Sequence, residues 1–329
     1  MGGKTSEIQL GICIPTFNRD KYLEKLLDSL LPQCEESDVC LYISDNSSED
    51  ETEQIVKNYQ KIYENIIYNK NEKNIGFYKN LINVLKMAKT QYVWMMDDDD
   101  IIREGSIKSI MDAFQSNPDY LVLNSSDCNR KMEIKEYKII DCDQDKTFLP
   151  GEHSKLLFNL RKNSYYGIMA SMIIKSTIIT DKLIEMSSPK YEFFENSYLP
   201  LILFFRSIVG KTGLFLCDPL VLRRPNMRNS SQHPFDWFVG DRIIAINSLR
   251  KYDYDEKVIK AMVSTKLSSA LFNVILVKDS NPKVSTFNNF IKTTELMSIY
   301  EKVLYFLFDK VPMRGIKLIR NVMYKISGL

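Results

Sequence analysis

YVWMMDDDDII, residues 92–102, is the stretch from which the rest of the chain is read. Tyr92, Val93, Trp94, Met95 and Met96 form an unbroken apolar run, the pattern of a strand covered on both faces of a sheet. Asp97, Asp98, Asp99 and Asp100 follow at once. Like charges this close raise one another's pKa unless a cation shares the site. A cleft at the strand's carboxyl end, holding a hard divalent ion through oxygen ligands, suits that chemistry. A solvated acidic turn is the structural alternative, but the abrupt passage from buried strand to dense charge favours a site.

Working back from this stretch, LGICI at residues 10–14 reads as a strand stopped by Pro15, which cannot donate to a sheet ladder. Thr16, Phe17, Asn18 and Arg19 make a polar turn, and Tyr22, Leu23, Leu26, Leu27, Leu30 and Leu31 recur at helical spacing up to Pro32. VCLYI at 39–43 is a second strand that delivers Asp45 at its carboxyl end, before turn residues and a helix over about 51–63. A short strand at 66–68, a turn at Asn74, Ile75 and Gly76, and a helix over 78–89 lead to the acidic strand. This alternation predicts an α/β fold, a mainly parallel sheet flanked by helices. Ligands bind such sheets at the carboxyl ends of the strands, where Thr16, Asp45 and Asp97 to Asp100 all lie. No GxGxxG follows the first strand and no GxxxxGK[ST] occurs, so a dinucleotide fold and a P-loop have no support.

Downstream the pattern predicts a helix over 107–114, strands at 120–123 and 165–174, a polar strand-like excursion over 131–146, a helix over 198–208, and a strand pair at 212–217 and 218–222. From about residue 235 helical periodicity replaces β signals, which places a boundary near Gln232 between a sheet-based domain, 1–232, and a helical C-terminal extension, 233–329.

The 329 residues are 44% hydrophobic and 26% charged, enough for a sizeable folded core. A formal charge of +2 supplies no field for nucleic acid. Six cysteines in no CxxC or zinc spacing read as reduced packing residues of a cytosolic protein. The N-terminus has no hydrophobic core of signal-peptide length, and no stretch reaches the ~18 apolar residues of a membrane span.

The order IPTFNR, ISDNSSED, NIGFYKN and WMMDDDD resembles family 2 glycosyltransferases of the GT-A fold, most closely over residues 10–102. The resemblance implies transfer of a sugar from a nucleoside diphosphate sugar, UDP-linked by preference, to a glycan or polyprenyl-linked acceptor in surface-polysaccharide assembly, with inversion. It implies a bound Mn²⁺ or Mg²⁺ that neutralises the departing diphosphate. A D-x-D element would give Asp97 to the ribose or ion and Asp99 to the metal, with Asp98 also at the donor; a slip by one leaves Asp98 with Asp100 open. Asp45 matches the base-binding aspartate, a carboxylate able to accept from a uracil imide, although the same residue suits an Asx turn. Pro15, Thr16, Phe17 and Asn18 would line the nucleotide pocket, whereas Arg19 reads equally as a surface charge. Gly76 would allow close approach, and Asn80, one helical turn on, would face the same cleft; a loop glycine and a solvated amide are the plain alternatives. Arg224, in the basic turn RRPNMR, would grip the diphosphate.

An inverting transferase needs a base near the acceptor hydroxyl. Glu195, with Glu192 in reserve, is the nearest match to the family's acidic pair, although the second acid is missing and capping of the next helix is an equal reading. A sugar-nucleotide nucleotidyltransferase shares the architecture but would show glycines after the first strand, which PTFNRDKY lacks. A catalytically silent binding or scaffold protein of the same fold is the other alternative.

Residues 310–329 carry Lys310, Arg314, Lys317, Arg320 and Lys325 with no acid, interleaved with apolar residues as in a basic amphipathic helix. Such a helix suits peripheral docking on the anionic cytoplasmic face of the membrane, and equally packing within the chain or against a second copy in a homo-oligomer.

Overall fold

The computed structural model describes residues 8–35, 37–129, 131–160, 169–186, 199–224 and 241–262. Two compact units divide the chain, Met1–Met227 and Arg228–Leu329. In the first, the strands are β1 (Leu10–Thr16), β2 (Val39–Asp45), β3 (Ile66–Lys70), β4 (Tyr92–Met95), β5 (Ile101–Ile102), β6 (Tyr120–Cys128), β7 (Ile134–Glu136), β8 (Lys146–Phe148), β9 (Met172–Lys175) and β10 (Gly213–Arg223). The helices are α1 (Asp20–Cys34), α2 (Thr52–Gln60), α3 (Phe77–Met87), α4 (Ser106–Ala113), α5 (His153–Asn159), α6 (Ser176–Met186) and α7 (Leu199–Ser207).

One sheet runs in the order β3-β2-β1-β4-β9-β6-β10-β5, with β7 on β6 and β8 on β10. Strands β1 to β4 pair in parallel, as the alternating pattern predicts. β9 enters antiparallel to both β4 and β6, so β6, and β10 beside it, run in the same direction as β1 to β4. The carboxyl ends of six strands therefore share one edge. Every residue of β1, β2 and β4 is buried, which is why these strands read as continuous apolar runs. At the centre Trp94 is wholly buried, with its Nε1–H donated to the Ala170 carbonyl at 2.7 Å, so its polar atom costs nothing to enclose.

Pro15 does not end the first strand; β1 continues one residue further. The Thr16 carbonyl faces β2, accepting from Asn46, and the Cys13 carbonyl faces β4, accepting from Met96. Alternation then turns Pro15 towards β4, whose ladder with β1 has already finished at Met95, so no donor is missed there. The expected strand pair at 212–222 is one strand, β10, in which the register against β6 jumps on either side of Pro219. A bulge absorbs the turn signal that looked like a break. At its start, a Cβ on Gly213 would lie 2.0 Å from the Tyr120 ring, so only glycine lets β10 close against β6 here. Of the strand expected at 165–174, residues 165–168 lie outside the described residues; Met169–Ser171 form a 3-10 turn and Met172–Lys175 is strand.

Cys142 and Cys217 are joined by a disulfide, which corrects the reading of all six cysteines as reduced. The excursion after β6 folds back onto the β10 bulge, where the buried Asn124 amide donates to the carbonyls of Ile140 and Cys217 and brings the two thiols together. Cys13, Cys34, Cys40 and Cys128 remain free and buried; burial raises the pKa of each thiol, as suits packing residues.

In the second unit α8 (Asp241–Ser248) and the short turn Leu249–Lys251 bury Ala245, Ile246 and Leu249. Among the described residues no helix is long and apolar enough to cross a membrane.

Candidate active site

The loops that leave the carboxyl ends of β1 and β2 are buttoned to each other. Asn18 takes a left-handed conformation, φ 51°, which lets its N–H donate to Ser48 Oγ at 2.8 Å while its Oδ1 accepts the Glu49 N–H at 2.9 Å. The Asp20 N–H adds a bond to Asp50 Oδ2. Thr16 and Asp45 are register partners, so both loops start level with one another. Phe17 is 39% exposed beside this junction.

Asp45 is fully buried. Its Oδ1 accepts the Ser48 N–H, three residues on, at 2.8 Å and so holds the turn after β2, and its Oδ2 accepts the Tyr68 hydroxyl at 2.6 Å. Burial and the neighbouring Asp45 raise the Tyr68 pKa and keep that hydroxyl a donor. Each carboxylate oxygen keeps a second lone pair, so the turn geometry and acceptance from a ligand are compatible.

A net of amides carries this arrangement across to α3. Asn46 Oδ1 accepts the Ile75 N–H at 2.9 Å, and its Nδ2 donates to Asn74 Oδ1, which also accepts the Gly76 N–H. Asn80, expected to face the cleft, is buried: its Oδ1 accepts from Ser44 and Asn71, and its Nδ2 donates to the Ser44 carbonyl. It fastens α3 to the end of β2. Gly76 has φ 85° and ψ 154°, a backbone region closed to side-chain-bearing residues, and a Cβ there would meet nothing within 4 Å. Its conformation demands glycine and its Cα faces open space.

The four aspartates alternate. Asp98 and Asp100 are buried, whereas Asp97 and Asp99 are partly exposed, so the pair one residue apart in the D-x-D register shares the same degree of access. Arg19 Nη1 bridges Asp98 Oδ1 at 2.9 Å and Asp99 Oδ2 at 2.6 Å. Burial raises the Asp98 pKa to about 6 against the opposing pull of Arg19, with Asp99 adding to the rise. Burial works against the Arg19 charge too, but Asp98 and Asp99 outweigh it and raise its pKa. Thr16 lies near enough to Asp98 to help the ionised form, yet its buried Oγ1 completes no hydrogen bond of ordinary geometry. Asp100 is raised well above the usual carboxylate range, by burial first and then by Asp97 and Asp99.

β10 closes the cluster from the other side. The Arg224 N–H donates to Asp100 Oδ1 at 3.0 Å and its Nε–H to the Asp99 carbonyl at 2.9 Å. Arg223 grips Asp127, its register partner at the end of β6, through two N–H groups. The Arg19 and Arg224 guanidiniums both approach the Tyr22 ring, at 5.8 and 5.1 Å from its centroid.

The structure thus brings together Thr16, Asn18, Asp45, Gly76, Asp97 to Asp100 and Arg224 at one sheet edge, and adds Arg19, Tyr22, Tyr68, Asp127 and Arg223. Of these, Arg19 closes the polar turn after β1 and Arg223 opens the basic turn RRPNMR, so both stand in stretches the sequence marks; Tyr22, Tyr68 and Asp127 depend on pairing between distant segments. Glu192, Glu195 and the basic segment 310–329 lie outside the described residues.

Among the described residues no three side chains of ligand type converge as a ready metal cage. The donor set nevertheless fits a hard ion: Asp97 and Asp99 offer carboxylate oxygens on the accessible side, and Asp99 already engages a cation, that of Arg19. Ions of the Mg²⁺ kind are held by one or two carboxylates completed by substrate phosphate and water.

The chain is 33% identical over 124 residues to abequosyltransferase RfbV of Salmonella typhimurium, covering 37% of this chain and 36% of the relative. It is 36% identical over 105 residues to the GalNAc(5)-diNAcBac-PP-undecaprenol beta-1,3-glucosyltransferase of Campylobacter jejuni, covering 31% and 33%. These matches span about a third of the relatives' own length. Among solved structures, S. aureus TarS 1-349 in complex with UDP superposes with a TM-score of 0.66 at 17% identity, covering 98% of this chain and 92% of that one. A mannosyltransferase from Pyrobaculum calidifontis in complex with GDP-Man and Mn²⁺ gives 0.51 at 10% identity, covering 98% and 88%. The fold is the GT-A fold expected from the sequence. The family model for glycosyl transferase family 2 matches residues 11–181, more than half of the chain, and the chain belongs to that family.

Proposed function

We propose that this chain transfers a sugar from a UDP-sugar to a hydroxyl of a glycan or polyprenyl-linked glycan, with inversion and with the help of Mn²⁺ or Mg²⁺. One observation carries the reading: the carboxylate of Asp45 at the end of β2 and the partly exposed pair Asp97 and Asp99 just past β4 stand on the same edge of the parallel sheet, on either side of β1. The names of the relatives support the substrate class. TarS was crystallised with UDP-GlcNAc, and the Campylobacter relative is named for a polyprenyl diphosphate-linked acceptor.

In this reading Asp45 accepts from the uracil imide, Pro15, Thr16, Phe17 and Asn18 line the nucleotide, and Gly76 admits it closely. Asp99 and Asp97 hold the divalent ion, which when bound neutralises the charge that grows on the diphosphate. Arg224 adds a guanidinium on the same side. Glu195, or Glu192, takes the acceptor's proton as its oxygen bonds to the anomeric carbon; the bond to the diphosphate breaks on the opposite face, and the nucleoside diphosphate leaves with the electron pair. The sheet-based domain, 1–232, does this chemistry, and the basic stretch within 233–329 docks the enzyme on the cytoplasmic face of the membrane.

Release of UDP from a panel of UDP-sugars, with Mn²⁺ and then with chelator, tests the proposal. Chelator-sensitive release from at least one sugar is expected. UDP binding without release from any donor identifies a silent binding protein instead, and failure to bind UDP overturns the nucleotide reading.

A further inference from the structure

We propose that Arg19 is a built-in counter-cation of the aspartate cluster, which a divalent ion must displace from Asp99, so that this guanidinium sets the metal affinity of the site. The inference deepens the proposed function and rests on its metal-dependent reading. Four consecutive carboxylates repel one another, and two of them, Asp98 and Asp100, are removed from water. Without metal, something must compensate that charge. The Arg224 N–H answers Asp100 through the backbone, and Arg19 answers Asp98 and Asp99 together through one nitrogen, at 2.9 and 2.6 Å.

The guanidinium is placed for this task by its surroundings. The left-handed Asn18 turn directs the chain into α1, and Tyr22, one helical turn on, offers its ring to Arg19. The two carboxylates it serves differ. Asp98 is the more enclosed, with 8% of its side chain exposed, against 17% for Asp99, whose backbone is anchored separately by Arg224. Asp99 can therefore change partner while Asp98 keeps Arg19, and the ion competes with a fixed positive charge for a single acid. Such competition weakens binding without altering any metal ligand.

Titration of Mn²⁺ in the presence of UDP, followed by loss of the free-Mn²⁺ resonance, tests this with the full chain. Arg19→Gln removes the rival charge and is expected to bind Mn²⁺ roughly five- to tenfold more tightly than the parent. Its melting temperature without metal should fall and be recovered by saturating Mn²⁺. Arg19→Lys keeps a charge that reaches the acids less well and should give a smaller gain; it carries the test if the Gln variant does not fold without metal. Equal or weaker Mn²⁺ binding in the variants, beside a parent that responds, overturns the role of Arg19 alone. A parent indifferent to Mn²⁺ removes the metal-dependent reading and this inference with it.

Discussion

At the amino edge of the sheet Asp119, just before β6, accepts the Thr212 N–H at 3.0 Å and the Lys175 ammonium at 3.1 Å, and its pKa is lowered because these bonds outweigh its burial. At the carboxyl edge Asp98 and Asp100 are packed against like charges and away from water, and their pKa values are raised. The same residue type on the same sheet is thus stabilising at one edge and held against its preference at the other. Positive φ does not divide the same way, since Asn18, Ser47 and Gly76 take it at the carboxyl edge and Asn117 and Gly210 take it just before β6 and β10. The contrast is electrostatic, and unrelieved like charge at one edge marks where ligand energy is meant to be used.

This contrast breaks most visibly at Asp99. Asp99→Asn is expected to lower UDP-sugar turnover about a thousandfold, while relief of repulsion leaves the melting temperature unchanged or higher. A variant that unfolds while keeping its turnover would reverse the roles assigned to the two edges. Gly76→Ala should come next. With open space around a Cβ there is no clash, so the cost of about 1–3 kcal/mol is backbone strain alone, read as a lower melting temperature with weaker UDP binding. The smallest effect belongs to Asp119→Asn. A carboxyl whose folded pKa is depressed contributes stability above its ordinary pKa and loses it as pH falls through the folded value. The variant should therefore lose about 1 kcal/mol at neutral pH, converge with the parent as pH falls through the lowered folded value, and bind UDP normally. Denaturant melts across pH, paired with UDP titrations, check this.

Much of the frame was legible because buried parallel strands advertise themselves: the runs at Leu10, Val39 and Tyr92 needed only local pattern. Four identical residues do not disclose which of them are enclosed; the alternation of burial from Asp97 to Asp100 depends on what packs around them. Arg19 looked like a surface charge because its two partners are about 80 residues away in sequence. Asn80 looked like a cleft residue because one helical turn from Gly76 is near in space; which way its amide turned was decided by Ser44 and Asn71. Pro15 misled as a strand end, since tolerance of proline depends on which neighbour its missing N–H faces, and the break expected between 217 and 218 is a bulge within one strand. The Cys142–Cys217 link is invisible to spacing rules, joining an irregular excursion to a bulge 75 residues later.

The single strand β10 has a practical corollary. It begins where Thr212 ties to Asp119 at one margin of the sheet and finishes with Arg224 fastened to Asp99 and Asp100 at the other. The family match ends at residue 181, well before it. Cutting a fragment to those family limits would keep every aspartate yet strip away the wall behind them, and homologues should be aligned through this strand before their pockets are compared.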